Sequence, residues 1–125
     1  MLAKILVEND IEFGARLVEK LESHRFPLTA AFWLYLDDID EWRLFIVSPL
    51  VSERGPRLAH TQVTQSLYDL AYDAKKPMHA PMERIFLVSP NDSRYKQVKA
   101  VYGEKPILSP VGNLVSGDIY VYRMS

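Results

Sequence analysis

Two runs rich in aromatic and branched side chains, "TAAFWLYL" at 29–36 and "WRLFIVS" at 42–48, are separated only by "DDIDE". Such side chains suit a pleated, half-buried surface. A short polar break between two such runs reads as the turn of a β-hairpin. This hairpin is the element around which the rest of the chain has to be arranged. Its turn carries Asp37, Asp38, Asp40 and Glu41, but it lacks the glycine and the distal glutamate of a calcium loop. It reads as a solvated turn.

The flanking segments change period from two to between three and four. Ile11, Ala15, Val18 and Leu21, with Leu17 beside them, mark a helix over about 9–24. Asn9 and Glu12 have the spacing of a capping box, and "HRFP" closes the helix at Pro27. Ala59, Val63, Leu67, Leu70 and Ala71 predict a second helix over about 56–75. Pro56 suits its first turn, Lys75 and Lys76 its C-terminal dipole, and Pro77 its stop. "PMHAPM" is a loop. "RIFLVSP" at 84–90 is a third strand. A short helix follows, with Asp92 or Ser93 as N-cap and Gly103 as its stop. "PILSP" and "DIYVYRM" are the last strands, joined by "VGNLVSG".

The expected order is α-β-β-α-β-α-β-β. It describes a single α+β domain over residues 1–125, with one mixed five-stranded sheet and about three helices packed on it. The hairpins are antiparallel, and the passage through the third helix is expected to form a right-handed parallel crossover. "FIVSP", "FLVSP" and "ILSP" recur at unequal spacings, so they are strands that end alike and not a duplicated domain.

Composition narrows the functional classes. The 125 residues carry 15 basic and 16 acidic side chains, a formal charge of −1, which disfavours a DNA-wrapping role built on phosphate neutralisation. There is no cysteine, so disulfides, thiolate metal sites and cysteine nucleophiles are excluded. "MLAKILVEND" lacks the apolar core of a secretory signal, which leads us to expect a cytoplasmic protein. No run approaches the roughly 18 apolar residues of a membrane helix.

Catalytic signatures are missing. His24, His60 and His79 have no paired ligand spacing. HExxH, GxSxG, Walker A and GxGxxG are absent, as is the Glu-x-Lys of restriction-type nucleases. Ser48 and Ser89 precede prolines at strand ends, which removes the amide best placed for an oxyanion hole, so both read as turn residues. No cofactor is implied.

The informative feature is the two-sidedness of the strands. Phe32, Leu34 and Leu36 alternate with Ala31, Trp33 and Tyr35; Trp42, Leu44 and Ile46 alternate with Arg43, Phe45 and Val47; Ile119 and Val121 alternate with Tyr120 and Tyr122. One set per strand is core. The other is amphipathic, and we expect it to bring Trp33 and Tyr35 together with Arg43 or Arg84. Helices can bury that face, a second copy or another protein can cover it, or it can stack single-stranded nucleic acid. On the second helix Thr61, Gln65, Tyr68 and Tyr72 form a polar-aromatic stripe that a solvated face explains. Arg54 and Arg57 bracket "GP" at the start of that helix, where an anion can be held.

Taken together, "AAFWLYL…EWRLFIVSPLVSERGPR", "IFLVSPND" and "DIYVYRM" resemble an uncharacterised family of small bacterial proteins. That family shares an Ala-Ala-x-Trp-x-Tyr strand, a Trp-Arg-Leu strand, a Gly-Pro-Arg helix start and a Tyr-x-Tyr-Arg ending. The resemblance spans nearly the whole chain and implies one compact domain, but no activity and no site residues.

The leading expectation is a non-catalytic protein-interaction domain whose partner is a second copy or another protein. Its binding residues would come from Trp33, Tyr35, Arg43, Arg54 and Arg57. The alternatives are a nucleic-acid-associated accessory protein using the aromatic and arginine face, and a phosphoryl-chemistry site at Arg43, Arg54 and Arg57. No membrane association is expected.

Overall fold

The computed structural model describes residues 6–79, 82–102, 113–116 and 119–124. The hairpin forms as its alternation requires. Strand β1 (Ala30–Leu36) pairs antiparallel with β2 (Glu41–Val47), from Leu36 opposite Glu41 to Ala30 opposite Val47. Asp40 closes the turn at φ 54°, a left-handed conformation that aspartate tolerates better than most residues.

Helix α1 (Glu8–Ser23) starts earlier than the capping box implies. Val7 is the N-cap and makes no side-chain capping bond, while Glu12 reaches out to Lys76 Nζ at 2.6 Å. The helix also stops before Pro27. Arg25 adopts φ 59°, its N–H bonds Glu22 O at 3.0 Å, and Phe26 N–H bonds Leu21 O at 2.9 Å. This is a Schellman stop with arginine in place of glycine, and buried Phe26 packs in the same cluster as Leu21.

After β2, Ser48 Oγ accepts the Leu50 N–H at 3.1 Å and starts a one-turn helix, α2 (Leu50–Glu53), that the sequence reading did not include. Gly55 at φ 90° then turns the chain into α3 (Pro56–Ala71), with Pro56 in its first turn. Helix α3 ends four residues before Lys75. Asp73 Oδ1 accepts the N–H groups of Lys75 (2.9 Å) and Lys76 (2.8 Å), so the lysines belong to a side-chain-organised turn and not to the helix terminus. A 3-10 turn at Met82–Arg84 leads into β3 (Ile85–Val88). Ser89 Oγ accepts the Asn91 N–H, and Asp92 Oδ2 caps α4 (Ser93–Tyr102) through the Tyr95 N–H at 3.0 Å.

The fold is α+β with a single mixed sheet ordered β3-β2-β1-β5-β4. Strand β5 (Ile119–Met124) pairs antiparallel with β1, and short β4 (Asn113–Ser116) pairs with β5 at the outer edge. Two expectations are corrected. The parallel pair is β2 with β3, so the parallel crossover runs through α3 and not through the helix at 93–102. The penultimate strand lies within "VGNLVSG", expected to be a loop, and "PILSP" falls outside the described residues.

Helices α1 and α3 cover one face of the sheet. There Phe13, Leu17, Leu21, Val63 and Leu70 meet Ala31, Trp33, Tyr35, Trp42, Leu44 and Ile46. On this face α1 packs against β5, and α3 packs against β3. The other face gathers Phe32, Leu36, Phe45, Val47, Ile119 and Val121 around Tyr95 and Val98 of α4. Both faces are therefore core. Among the described residues no helix is long and apolar enough to cross a membrane.

Candidate association surface

The residues singled out in the sequence do not converge. Trp33 is fully buried and Tyr35 nearly so, both beneath the helices. Trp33 anchors a polar clamp: its Nε1 donates to Tyr122 Oη at 3.0 Å, and Tyr122 Oη donates to Ile11 O at 2.6 Å. Arg84 lies 4.9 Å over the Trp33 ring and grips both Asp10 carboxylate oxygens at 2.8 and 3.1 Å. Burial pushes the Tyr122 phenol well above its ordinary value, with the Tyr120 and Asp10 charges adding to that, so it stays a neutral donor. The clamp fixes α1 to the sheet.

Arg43 lies on the opposite face, which corrects its grouping with Trp33 and Tyr35. The hairpin register sets Leu34 across from Arg43 and Trp33 across from Leu44, and residues directly opposite share a face. Arg43 pairs with Glu41 and lies 6.0 Å over the Phe86 ring, and its Nε is buried without a hydrogen-bond partner. Arg54 and Arg57 are exposed on the helix-covered side. With the sheet between them, Arg43 and this pair cannot share one anion. Trp33 and Tyr35, under helices, offer no stacking platform for nucleic-acid bases.

Around Ser66, residue types suited to catalysis meet without the geometry for it. Ser66, His24, Gln62 and Gln65 line a cavity of about 160 Å³, and His24 Nε2 is 3.7 Å from Asp69 Oδ2. Ser66 is fully buried and its Oγ has no hydrogen-bond partner, so it neither touches a base nor reaches solvent. No group of three or more metal-ligating side chains forms among the described residues.

Two features of one side of the molecule remain. The first is the outer face of α3. Tyr68 and Tyr72 are 60% and 71% exposed, and their rings lie tilted against each other with centroids 4.7 Å apart. The Tyr72 hydroxyl, through a hydrogen bond, raises the Tyr68 phenol. Beside them His60, Thr61, Thr64, Gln65 and Tyr68 line a shallow concavity of about 300 Å³. No charged side chain occurs from Leu58 to Tyr68, 11 residues of a chain that is one quarter charged. A solvated helix face carries charges, whereas the centre of a protein interface is depleted of them and enriched in tyrosine. This gap is readable in the sequence, although the polar side chains of the stripe by themselves suggest only a solvated face.

The second feature is β3, the edge strand on that side. Val88 O accepts the Ser48 N–H at 3.0 Å, so Val88 and, two residues away, Phe86 turn their backbone groups toward β2. Those of Ile85 and Leu87 point away from the sheet. No backbone hydrogen bond from a described residue meets them. Nothing in the sequence reading marked these two, because edge position is a property of the assembled sheet.

No protein-family model, no curated protein and no solved structure matches the chain, so the surface is interpreted on its own chemistry.

Proposed function

We propose that this protein is a non-catalytic association domain whose partner is a second copy of itself, met through the outer face of α3. The observation that carries the reading is the exposed, mutually packed Tyr68–Tyr72 pair on a helix face without charge from Leu58 to Tyr68. Self-association suits such a face, because a two-fold axis sets it against its own copy and brings no like charges together. Exposed tyrosines at the centre of an interface commonly dominate its energy. The buried positions of Trp33 and Tyr35 move the expected contact from the sheet to this helix.

Light scattering coupled to gel filtration tests the proposal. The wild-type chain should elute as a dimer at about 100 µM. Tyr68→Glu with Tyr72→Glu should raise the dissociation constant about 100-fold or more, two lost contacts of roughly 1.4 kcal/mol each. Both positions are exposed, so the melting temperature of the variant monomer should match that of the wild-type monomer. A wild-type chain that stays monomeric at this concentration overturns the reading.

A further inference from the structure

We infer that Arg43 and Arg94, which converge on the ring of Phe86, form a binding site for a phosphate group, free or esterified. The site lies on the α4 face of the sheet, across from α3, so it stands apart from the association reading.

Phe86 is half-buried against Phe45, and the two guanidinium groups reach its ring from different elements. Arg43 comes from β2, with its guanidinium carbon 6.0 Å from the ring centroid, and Arg94 comes from α4 at 5.7 Å. An aromatic face attracts a guanidinium but leaves its in-plane N–H groups to find acceptors. Acceptors are short here. Arg43 gives Nη1 to Glu41 and, at 3.3 Å, to Trp42 O, while its Nε–H is buried without a partner. Its Nη2 makes no hydrogen bond among the described residues and, unlike Nε, is not buried. With 16% of the side chain open to solvent, an incoming acceptor can reach it. Arg94 is exposed and forms no ion pair among the described residues.

A compensated arginine on a ring occurs elsewhere in the same molecule. Arg84 lies 4.9 Å over the Trp33 ring, and both Asp10 carboxylate oxygens receive it. At Phe86 there are two guanidinium groups and one paired carboxylate, that of Glu41, which is itself 58% exposed. Asp92, just before α4, commits Oδ2 to the Tyr95 N–H. Helix α4 adds Lys96 and Lys99 and no acidic side chain. Positive charge is therefore in excess where Arg43 and Arg94 meet, and donors outnumber acceptors. An oxyanion restores both balances. Phosphate suits the place better than carboxylate, because its three terminal oxygens can accept from two guanidinium groups that arrive from different directions. A carboxylate has two oxygens in one plane, which a single arginine fork already matches.

NMR of the arginine Nε–H groups in nitrogen-labelled protein tests the site. Sodium phosphate is titrated in at about pH 7, with sodium chloride holding the ionic strength constant. The Arg43 and Arg94 signals should shift together and saturate, which general screening does not produce. Arg94→Gln should raise the phosphate dissociation constant about tenfold or more, the loss of one charge-assisted partner. Lys99→Gln removes the same charge from another side of α4 and should change that constant by about twofold at most, because a solvated charge acts only through a screened field. Arg43→Gln should abolish saturation. Should that variant fail to fold by circular dichroism, Arg94→Gln decides, since Arg94 is exposed. Inorganic phosphate and glycerol phosphate, titrated side by side, tell a free group from an esterified one, and saturation by either supports the site. Shifts that never saturate with either, or a Lys99→Gln change as damaging as Arg94→Gln, overturn it. Acetate binding as tightly as phosphate overturns the assignment to phosphate. None of these outcomes depends on whether the chain is a dimer.

Discussion

Replacing Gly14 by alanine tests the clamp that ties α1 to the sheet. In an ordinary helix interior this change is favourable by about 1 kcal/mol, because alanine restricts the unfolded chain and glycine does not. Gly14 is not an ordinary position. It is buried beneath the Tyr122 ring, and an added Cβ would lie 2.6 Å from Tyr122 Cε2, nearly 1 Å inside normal contact. Tyr122 cannot withdraw without giving up its bond to Ile11 O and its acceptance of the Trp33 Nε1–H. Overpacking costs about 1–3 kcal/mol. Leaving the Trp33 N–H unsatisfied in the core adds about 1–3 kcal/mol. Set against the helix preference, the net loss is about 1–5 kcal/mol, or roughly 4–20 °C in melting temperature at this chain length.

Thermal and urea unfolding followed by circular dichroism measures it, and near-ultraviolet spectra report the Trp33 environment. Tyr122→Phe alone should cost about 1–3 kcal/mol through the same indole N–H. The double variant should lose less than the two losses summed, since both act on one bond. A Gly14→Ala protein as stable as the wild type or more so, with additive behaviour in the double variant, would refute the argument that the Tyr122 contact outweighs helix propensity.

Ser66 predicts the opposite sign. Its hydroxyl is fully buried in α3 without a partner, so Ser66→Ala removes a desolvation cost and improves helix propensity. A gain of about 1 kcal/mol in urea unfolding is expected, and a loss would mean that the hydroxyl holds a bond. Asp73 predicts a pH dependence. The Lys76 and Lys75 backbone N–H groups hold its carboxyl below the usual carboxylate range. A folded pKa lower than the unfolded one contributes stability above about pH 4, and that contribution is lost as pH falls through the folded value. Asp73→Asn should therefore lose less stability than the wild type between about pH 6 and pH 2.5; equal losses would refute the bond assignment.

Much of the local structure follows from short stretches. Two period-two runs around "DDIDE" suffice for the hairpin, and Pro56 with the apolar spacing of Ala59, Val63 and Leu70 suffices for α3. Asp92 as a cap is likewise local, because its carboxylate needs only the amide three residues on. Ends were harder. The α3 end rests on Asp73 capturing the chain four residues early, whereas α1 begins within one residue of its expected start.

The candidate surface divides in the same way. The charge gap from Leu58 to Tyr68 is legible in the chain itself. The face of Arg43 is not a matter of its own neighbours: Trp33 and Arg43 part company because the hairpin turn sets a register, and a register one residue different would reverse every side chain. Runs such as "FWLYL" and "LFIV" also look alike on both faces, since helices α1 and α3 bury one and the α4 side buries the other. That β3 lies at the edge, with Ile85 and Leu87 turned outward beside α3, depends on strand order. Strand order is settled by long-range pairing through a parallel crossover, so only the tertiary structure could decide it.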